Sequence, residues 1–345
     1  MSMHVTIRKR MSKTFSLEVD FKKEDSYLGI LGASGSGKSM TLKCIAGVEM
    51  PDEGHISVDG KVLYDSAAKI NLRPQARRVG YMFQDYALFP QMTVVQNICC
   101  GAPDKKNGAA PFISRFGLEG LEGRFPHQLS GGQRQRVALA RMLAANPQTI
   151  LLDEPFSALD EHLRQQTRMQ LLDALHGFRD VIIVTHSRSE AYEMCGEMAV
   201  MQGGRLLAKD GTKQLFQDPG TVAVARLTGC KNISPISKIS DYELEALNWN
   251  VRLHTQVAIS DKITHIGIRA HELTPIYGKP QNMENVFPVL IGQQLESVFE
   301  YNIMCENAVH PTSEPLWWTA GKSGFSGMPD YLHAPPLSIL LLSEN

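Results

Sequence analysis

The segment Gly32-Ala33-Ser34-Gly35-Ser36-Gly37-Lys38-Ser39 constrains this chain more than any other. A short apolar run, residues 27–31, leads into it, and a helical pattern over residues 38–46 follows, closed by Gly47 and then Pro51. Its glycines let backbone N–H groups wrap phosphate oxygens, and the helix N-terminus behind them adds the positive end of its dipole. Strand, G-x-x-x-x-G-K-[ST] loop and helix in this order make a phosphate-binding loop. Within it, Lys38 is expected to reach the β- and γ-phosphates, and the Ser39 hydroxyl to ligate Mg²⁺.

The surrounding pattern is that of an α/β sheet. Residues 5–7 and 15–21 read as strands, and Asp59-Gly60 reads as the tight turn of a hairpin over residues 55–64. Residues 149–152 and 181–185 are short apolar runs of the kind found in central parallel strands, with a helical pattern over 163–175 between them. The run that starts at Thr149 ends in Asp153 and Glu154. Open α/β sheets hold their ligands at the carboxyl ends of their strands. Asp153 is therefore placed to hold Mg²⁺, directly or through water, and Glu154 to polarise an attacking water.

Leu129-Ser130-Gly131-Gly132-Gln133 runs into the helical stretch from Arg134 to Arg141. Ser130 is a good N-cap, and Gly131-Gly132 bares the backbone where a helix begins, which makes a second anion site. With this stretch the chain resembles the ABC ATPases, whose signature is LSGGQ, over about residues 5 to 220. The resemblance implies an α/β P-loop NTPase domain with a helical subdomain at about residues 85–145, and hydrolysis of ATP with Mg²⁺. It further implies a homodimer in which Ser130, Gly131, Gly132 and Gln133 act in trans on the partner's nucleotide. Gln84 matches the family's Q-loop glutamine, which touches Mg²⁺ and relays to a membrane subunit. Ser157-Ala158-Leu159-Asp160 matches the D-loop at the dimer seam, with Asp160 as its acid. His186 matches the switch histidine at the γ-phosphate, although Ser187 follows it where such importers often carry Asp. Phe15 either stacks on adenine or belongs to the core.

Residues 85–90 and 92–94 look like the importer form of the helical subdomain, which receives a coupling helix from a transmembrane permease. An extracytoplasmic substrate-binding protein is the indirect partner implied. Near Asp218-Pro219-Gly220 the composition changes, which divides the chain into residues 1–220 and 221–345. Strand candidates at 251–259, 264–269, 286–290 and 298–305 suggest a small all-β barrel or sandwich. Residues 229–233, 264–271 and 285–288 resemble the OB/TOBE-like domain of importer ATPases, most of all those for molybdate and sulfate. The cargo so implied is an oxyanion such as molybdate, tungstate or sulfate. Ferric iron, a polyamine or a sugar is the alternative, and a non-transport ABC ATPase is a further one. The tail either binds an oxyanion or only steadies the dimer, and it lacks the serine–alanine–arginine–asparagine motif of molybdate-binding modules.

A net charge of −1 sets up no field towards nucleic acid, and six cysteines without C-x-x-C spacing suggest a reducing compartment. The N-terminus lacks a signal-peptide apolar core, and no apolar run has the length a bilayer needs. The expected location is therefore the cytoplasmic face of the cell membrane, reached peripherally through the permease.

Overall fold

Three strands of this protein are buried at every residue, so both of their faces must be covered. The structure, a computed structural model, describes residues 3–24, 26–104, 108–157, 161–280 and 283–344. It forms two compact units, Met1–Thr212 and Lys213–Asn345.

In the first unit, β1 (Met3–Arg10) and β2 (Ser16–Lys23) pair antiparallel, and β2 alternates buried and exposed residues along its length. β3 (Leu28–Leu31) feeds the Gly-rich loop, and α1 (Lys38–Ala46) follows it. β4 (Glu53–Val58) and β5 (Lys61–Asp65) form the expected hairpin. Asp59 and Gly60 both take positive φ, 49° and 76°, as a type I′ turn requires. Next come β6 (Ile70–Asn71), α2 (Pro74–Arg77) and β7 (Val79–Met82). A helical region follows with α3 (Val94–Gly101), α4 (Ala110–Arg115) and α5 (Gly131–Ala144). The chain then returns to the sheet through β8 (Thr149–Asp153), α6 (Glu161–Leu175), β9 (Asp180–Thr185) and α7 (Arg188–Met194). β10 (Glu197–Gln202) and β11 (Arg205–Gly211) close the unit.

These strands make one sheet in the order β6-β5-β4-β1-β2-β11-β10-β3-β9-β8-β7. Alternation along β8 and β9 divides their side chains between two cores. Leu151, Ile182 and Val184 join the layer that holds Leu42 and Ile45 of α1, whereas Ile150, Leu152, Val181 and Ile183 join the layer under α3 and α5. The parallel register is what positions the site. Leu31 lies beside Thr185, Asp153 beside Val184, and Met82 beside Leu152. The loops that leave these four strands therefore emerge along one edge.

The second unit carries helix Val222–Leu227 and two antiparallel five-stranded sheets. Its strands are β12 (Asn232–Lys238), β13 (Glu243–Ala246), β14 (Val251–His254), β15 (His265–Ile268) and β16 (Thr274–Ile276). They continue with β17 (Val286–Glu296), β18 (Glu300–Asn307), β19 (Leu316–Gly321), β20 (Tyr331–His333) and β21 (Ile339–Leu342). One sheet runs β14-β13-β12-β15-β21 and the other β16-β20-β17-β18-β19, around a core that includes Trp249, Phe287 and Trp318. The strand expected over 251–259 stops at His254, where the Thr255 hydroxyl donates to the Val257 carbonyl and the Ile259 N–H turns back to Asp241. The strand expected from 298 starts at Glu300, where a turn closed by Ser297 delays it. Among the described residues no helix is long and apolar enough to cross a membrane, and all six cysteines are free thiols.

Ile183 is fully buried between the layers. Ile183→Ala is expected to cost about 2–5 kcal/mol in denaturant unfolding. Met169→Ala, at a side chain 67% exposed, should stay within about 0.5 kcal/mol of the parent.

Candidate functional site

The Gly-rich loop closes around its own lysine. Lys38 Nζ donates to the carbonyls of Gly32 and Ala33, both at 2.9 Å, while Ala33, Ser34 and Gly35 face solvent and Ser36 is buried. Two glycines are sterically obligatory here. A Cβ on Gly32 would lie 2.3 Å from the Met201 carbonyl oxygen, and Gly37 has φ 102° with Leu17 Cδ1 2.8 Å from its Cβ position. Burial pulls the Lys38 pKa down, and the nearby Glu154 and Asp153 carboxylates oppose that shift.

Asp153, at the end of β8, is 3% exposed and has a donor on each oxygen. Ser39 Oγ donates to Oδ1 at 2.7 Å, and Tyr81 OH donates to Oδ2 at 2.8 Å. Burial above all, and then the adjacent carboxylate, raise the Tyr81 pKa, so the phenol remains a neutral donor. Ser39, Gln84, Asp153 and Ser157 line one open cleft with Phe83, Lys43 and Asp85.

Glu154 follows in the left-handed region, φ 45°, a conformation that costs a non-glycine residue about 1–3 kcal/mol. Its backbone is held there on both sides. Its N–H donates to Val184 O at 2.9 Å, and Ser157 donates to its carbonyl through N–H at 3.1 Å and Oγ at 3.0 Å. The Glu154 side chain, 14% exposed, lies 3.2 Å from His186 Nδ1 and accepts a long bond from Gln84 Nε2 at 3.4 Å. His186 sits between β9 and α7. The Glu190 carboxylate accepts from the Thr185 hydroxyl, which in turn accepts from the Ser187 N–H at 2.9 Å. Ser187, where importer ATPases often carry Asp, caps α7 by accepting from the Glu190 N–H at 3.4 Å.

Residues 16–157 match the family described as ABC transporter. The Fe(3+) ions import ATP-binding protein FbpC of Haemophilus influenzae (strain 86-028NP) is 35% identical over 302 residues, 82% of this chain and 85% of that protein. The chain belongs to the ABC importer ATP-binding subunits. A sulfate/thiosulfate import ATP-binding protein CysA, from Caulobacter vibrioides, is 43% identical over 230 residues, 62% of this chain and 66% of that protein. Among solved structures, the dimeric ATP-binding cassette MJ0796 with ADP and Pi superposes with a TM-score of 0.52 at 28% identity, covering 61% of this chain and 99% of that one. As a member of this family the subunit is an ATPase coupled to transport.

The signature stretch of this ABC subunit opens α5. Ser130 Oγ accepts from the Gln133 N–H at 3.2 Å and Gln133 Oε1 accepts from the Ser130 N–H at 2.9 Å, a capping box that leaves Gly131 and Gly132 as a bare first turn. Farther along, α5 ties itself to the two loops just described. Gln135 Nε2 donates to the Pro155 carbonyl at 2.9 Å. Arg141 donates to the carbonyls of Ala87 and Tyr86 at 2.7 and 2.9 Å, with its guanidinium 5.3 Å from the Phe89 ring centre. Tyr86 and Ala87 both have positive φ, 64° and 41°, so Arg141 clamps a strained turn just after Gln84. Phe15 lies just ahead of β2, with its ring tip 3.3 Å from where a Cβ on Gly204 would sit, and the Gly204 Cα is 3.7 Å from where a Cβ on Gly37 would sit. That places Phe15 beside the end of the phosphate loop. Asp160, with Ala158 and Leu159, lies outside the described residues.

Tyr81, Gln135, Arg141 and Glu190 were not singled out by sequence. The available signal was a polar residue on a core-facing position, clearest in Gln135, which is fully buried. Arg141→Ala is expected to lower stability by about 1–3 kcal/mol in thermal unfolding, because two half-buried carbonyls lose a charged donor. Arg141→Lys should restore little of it, since one ammonium cannot reproduce the two-pronged contact.

Proposed function

We propose that this subunit binds ATP between two copies of itself and hydrolyses it to drive uptake through a transmembrane permease at the cytoplasmic face of the membrane. What carries this is one linked cluster: Ser39 and Asp153 joined by a hydrogen bond, and Glu154 in contact with both His186 and Gln84. The Gly32–Ser39 loop cradles the phosphates, Lys38 turns from its loop carbonyls to the β/γ-phosphates, and Phe15 stacks on adenine. Ser130, Gly131, Gly132 and Gln133 of the partner copy complete each site, and Asp160 lies at the seam between copies.

The donors around the cleft suit a hard divalent cation, being a hydroxyl, a carboxylate and an amide oxygen with no thiolate among them. Ser39, Asp153 and Gln84 would hold Mg²⁺, which when bound neutralises phosphate charge. Glu154 takes the water proton as general base, its carboxylate held between His186 and Gln84. His186, 3.2 Å from Glu154 and itself 60% exposed, donates to the γ-phosphate in this reading. Hydrolysis is then positioning plus electrostatics.

Glu154→Gln is expected to keep ATP binding and lose about 10²–10⁴-fold in phosphate release, the usual share of a general base. Turnover at the parental rate would remove Glu154 from that role. For cargo, a small inorganic ion is the reading favoured. The ferric-ion relative aligns over 82% of this chain, and so through part of the second unit. The oxyanion reading draws on the sulfate relative at 43% identity over the shorter span, and a TOBE-like second unit fits either. Cells lacking this chain should lose uptake of radiolabelled ferric iron, or of sulfate and molybdate, and regain it with the wild-type chain but not with Glu154→Gln. An extracytoplasmic binding protein would deliver that ion.

A further inference from the structure

We propose that Tyr81 is a positioning residue for the cation-binding carboxylate, fixing the plane of Asp153 through its phenol. This rests on the reading above that Asp153 and Ser39 hold Mg²⁺. In β7, Tyr81 has Leu151 as its cross-strand partner, so Asp153, two residues on, projects from the same face of the neighbouring strand. The Tyr81 ring is itself held edge-on against Phe83, with centroids 4.4 Å apart. Its hydroxyl donates to Oδ2 at 2.8 Å while Ser39 donates to Oδ1 at 2.7 Å.

The terminal torsion of an aspartate is soft, so one hydrogen bond leaves the carboxylate free to turn. Two donors on opposite oxygens fix it. The two are not equivalent. Ser39 Oγ belongs to the cation's own donor set, ligating through a lone pair while its proton stays on Asp153 Oδ1. Tyr81 stands outside that set and acts on the cation only through Oδ2 of Asp153. Outer partners of this kind change metal affinity by about 10–100-fold when removed.

The test uses the full-length chain and a fluorescent ATP analogue, titrated with Mg²⁺ and separately in EDTA. Tyr81→Phe keeps the ring against Phe83 and removes only the hydroxyl. It is expected to raise the Mg²⁺ concentration at half-saturation about tenfold and to leave nucleotide affinity in EDTA unchanged. Asp153→Asn alone should abolish the Mg²⁺ response, and adding Tyr81→Phe to it should change nothing more. A Tyr81→Phe titration that overlays the parent's overturns the proposal, as does a loss that persists equally in EDTA or adds to that of Asp153→Asn. If the wild-type chain shows no Mg²⁺ response, or Asp153→Asn responds like the parent, the cation reading itself fails and Tyr81 falls with it.

Discussion

The site depends on the register of four parallel strands. β7, β8, β9 and β3 are paired so that Met82 and Leu152 share one level, with Thr185 and Leu31 two residues farther along. Each strand then releases one polar loop: Gln84, Asp153-Glu154, His186 and the Gly32–Ser39 loop. A slip of one residue in any pair would send its side chains to the opposite face. Packing on both faces resists that slip, since every residue of β3, β8 and β9 is buried and a swap would misfit both layers at once. The ladder even extends one step beyond β8, where the Glu154 N–H bonds to Val184 O. That bond, with Ser157 on the carbonyl, holds Glu154 in its left-handed conformation.

α5 is the second constraint, laid across the first. Its N-terminus carries Ser130 through Gln133, and its flank binds the loop after Glu154 through Gln135 and the loop after Gln84 through Arg141. Both contacts are to backbone carbonyls, so they fix the path of the chain rather than one side chain. A shift of α5 therefore has to carry the Pro155 and Tyr86–Ala87 segments with it or break charged or buried hydrogen bonds. Movement of the Ser130 end of α5 is in this way tied to the Glu154 and Gln84 loops of the same chain.

Legibility in the sequence followed the scale of the signal. The phosphate loop, the carboxylates after residues 149–152 and the hairpin at Asp59-Gly60 were readable because each is written in consecutive residues with a backbone reason. Gln84, His186 and the role of the signature came through resemblance. Tyr81 was not readable, since its link to Asp153 needs the β7–β8 register, which a separation of 72 positions along the chain conceals. Arg141 and Gln135 sit in a helix whose apolar period is plain, but which carbonyl each reaches is a tertiary fact. In the second unit, short strands such as Leu316–Gly321 and Tyr331–His333 gave too little alternation to mark, and turns at Ser297 and Thr255 moved the ends of the strands that were marked.

Burial divides the site into a fixed half and an open half. Lys38 and Asp153 are 4% and 3% exposed, and each has two hydrogen-bonded partners. Ser34, Gly35 and Ser130 are exposed, and the His186 side chain is 60% exposed. Electrostatic work on a phosphate is strongest where water is excluded and the dipoles cannot relax. The buried half meets that condition alone. The exposed half meets it only when another surface covers it, and under the proposed function Ser130 with its two glycines on a second copy would be that surface. The division between a buried lysine and carboxylate and an exposed Ser130 helix end is what that proposal turns on.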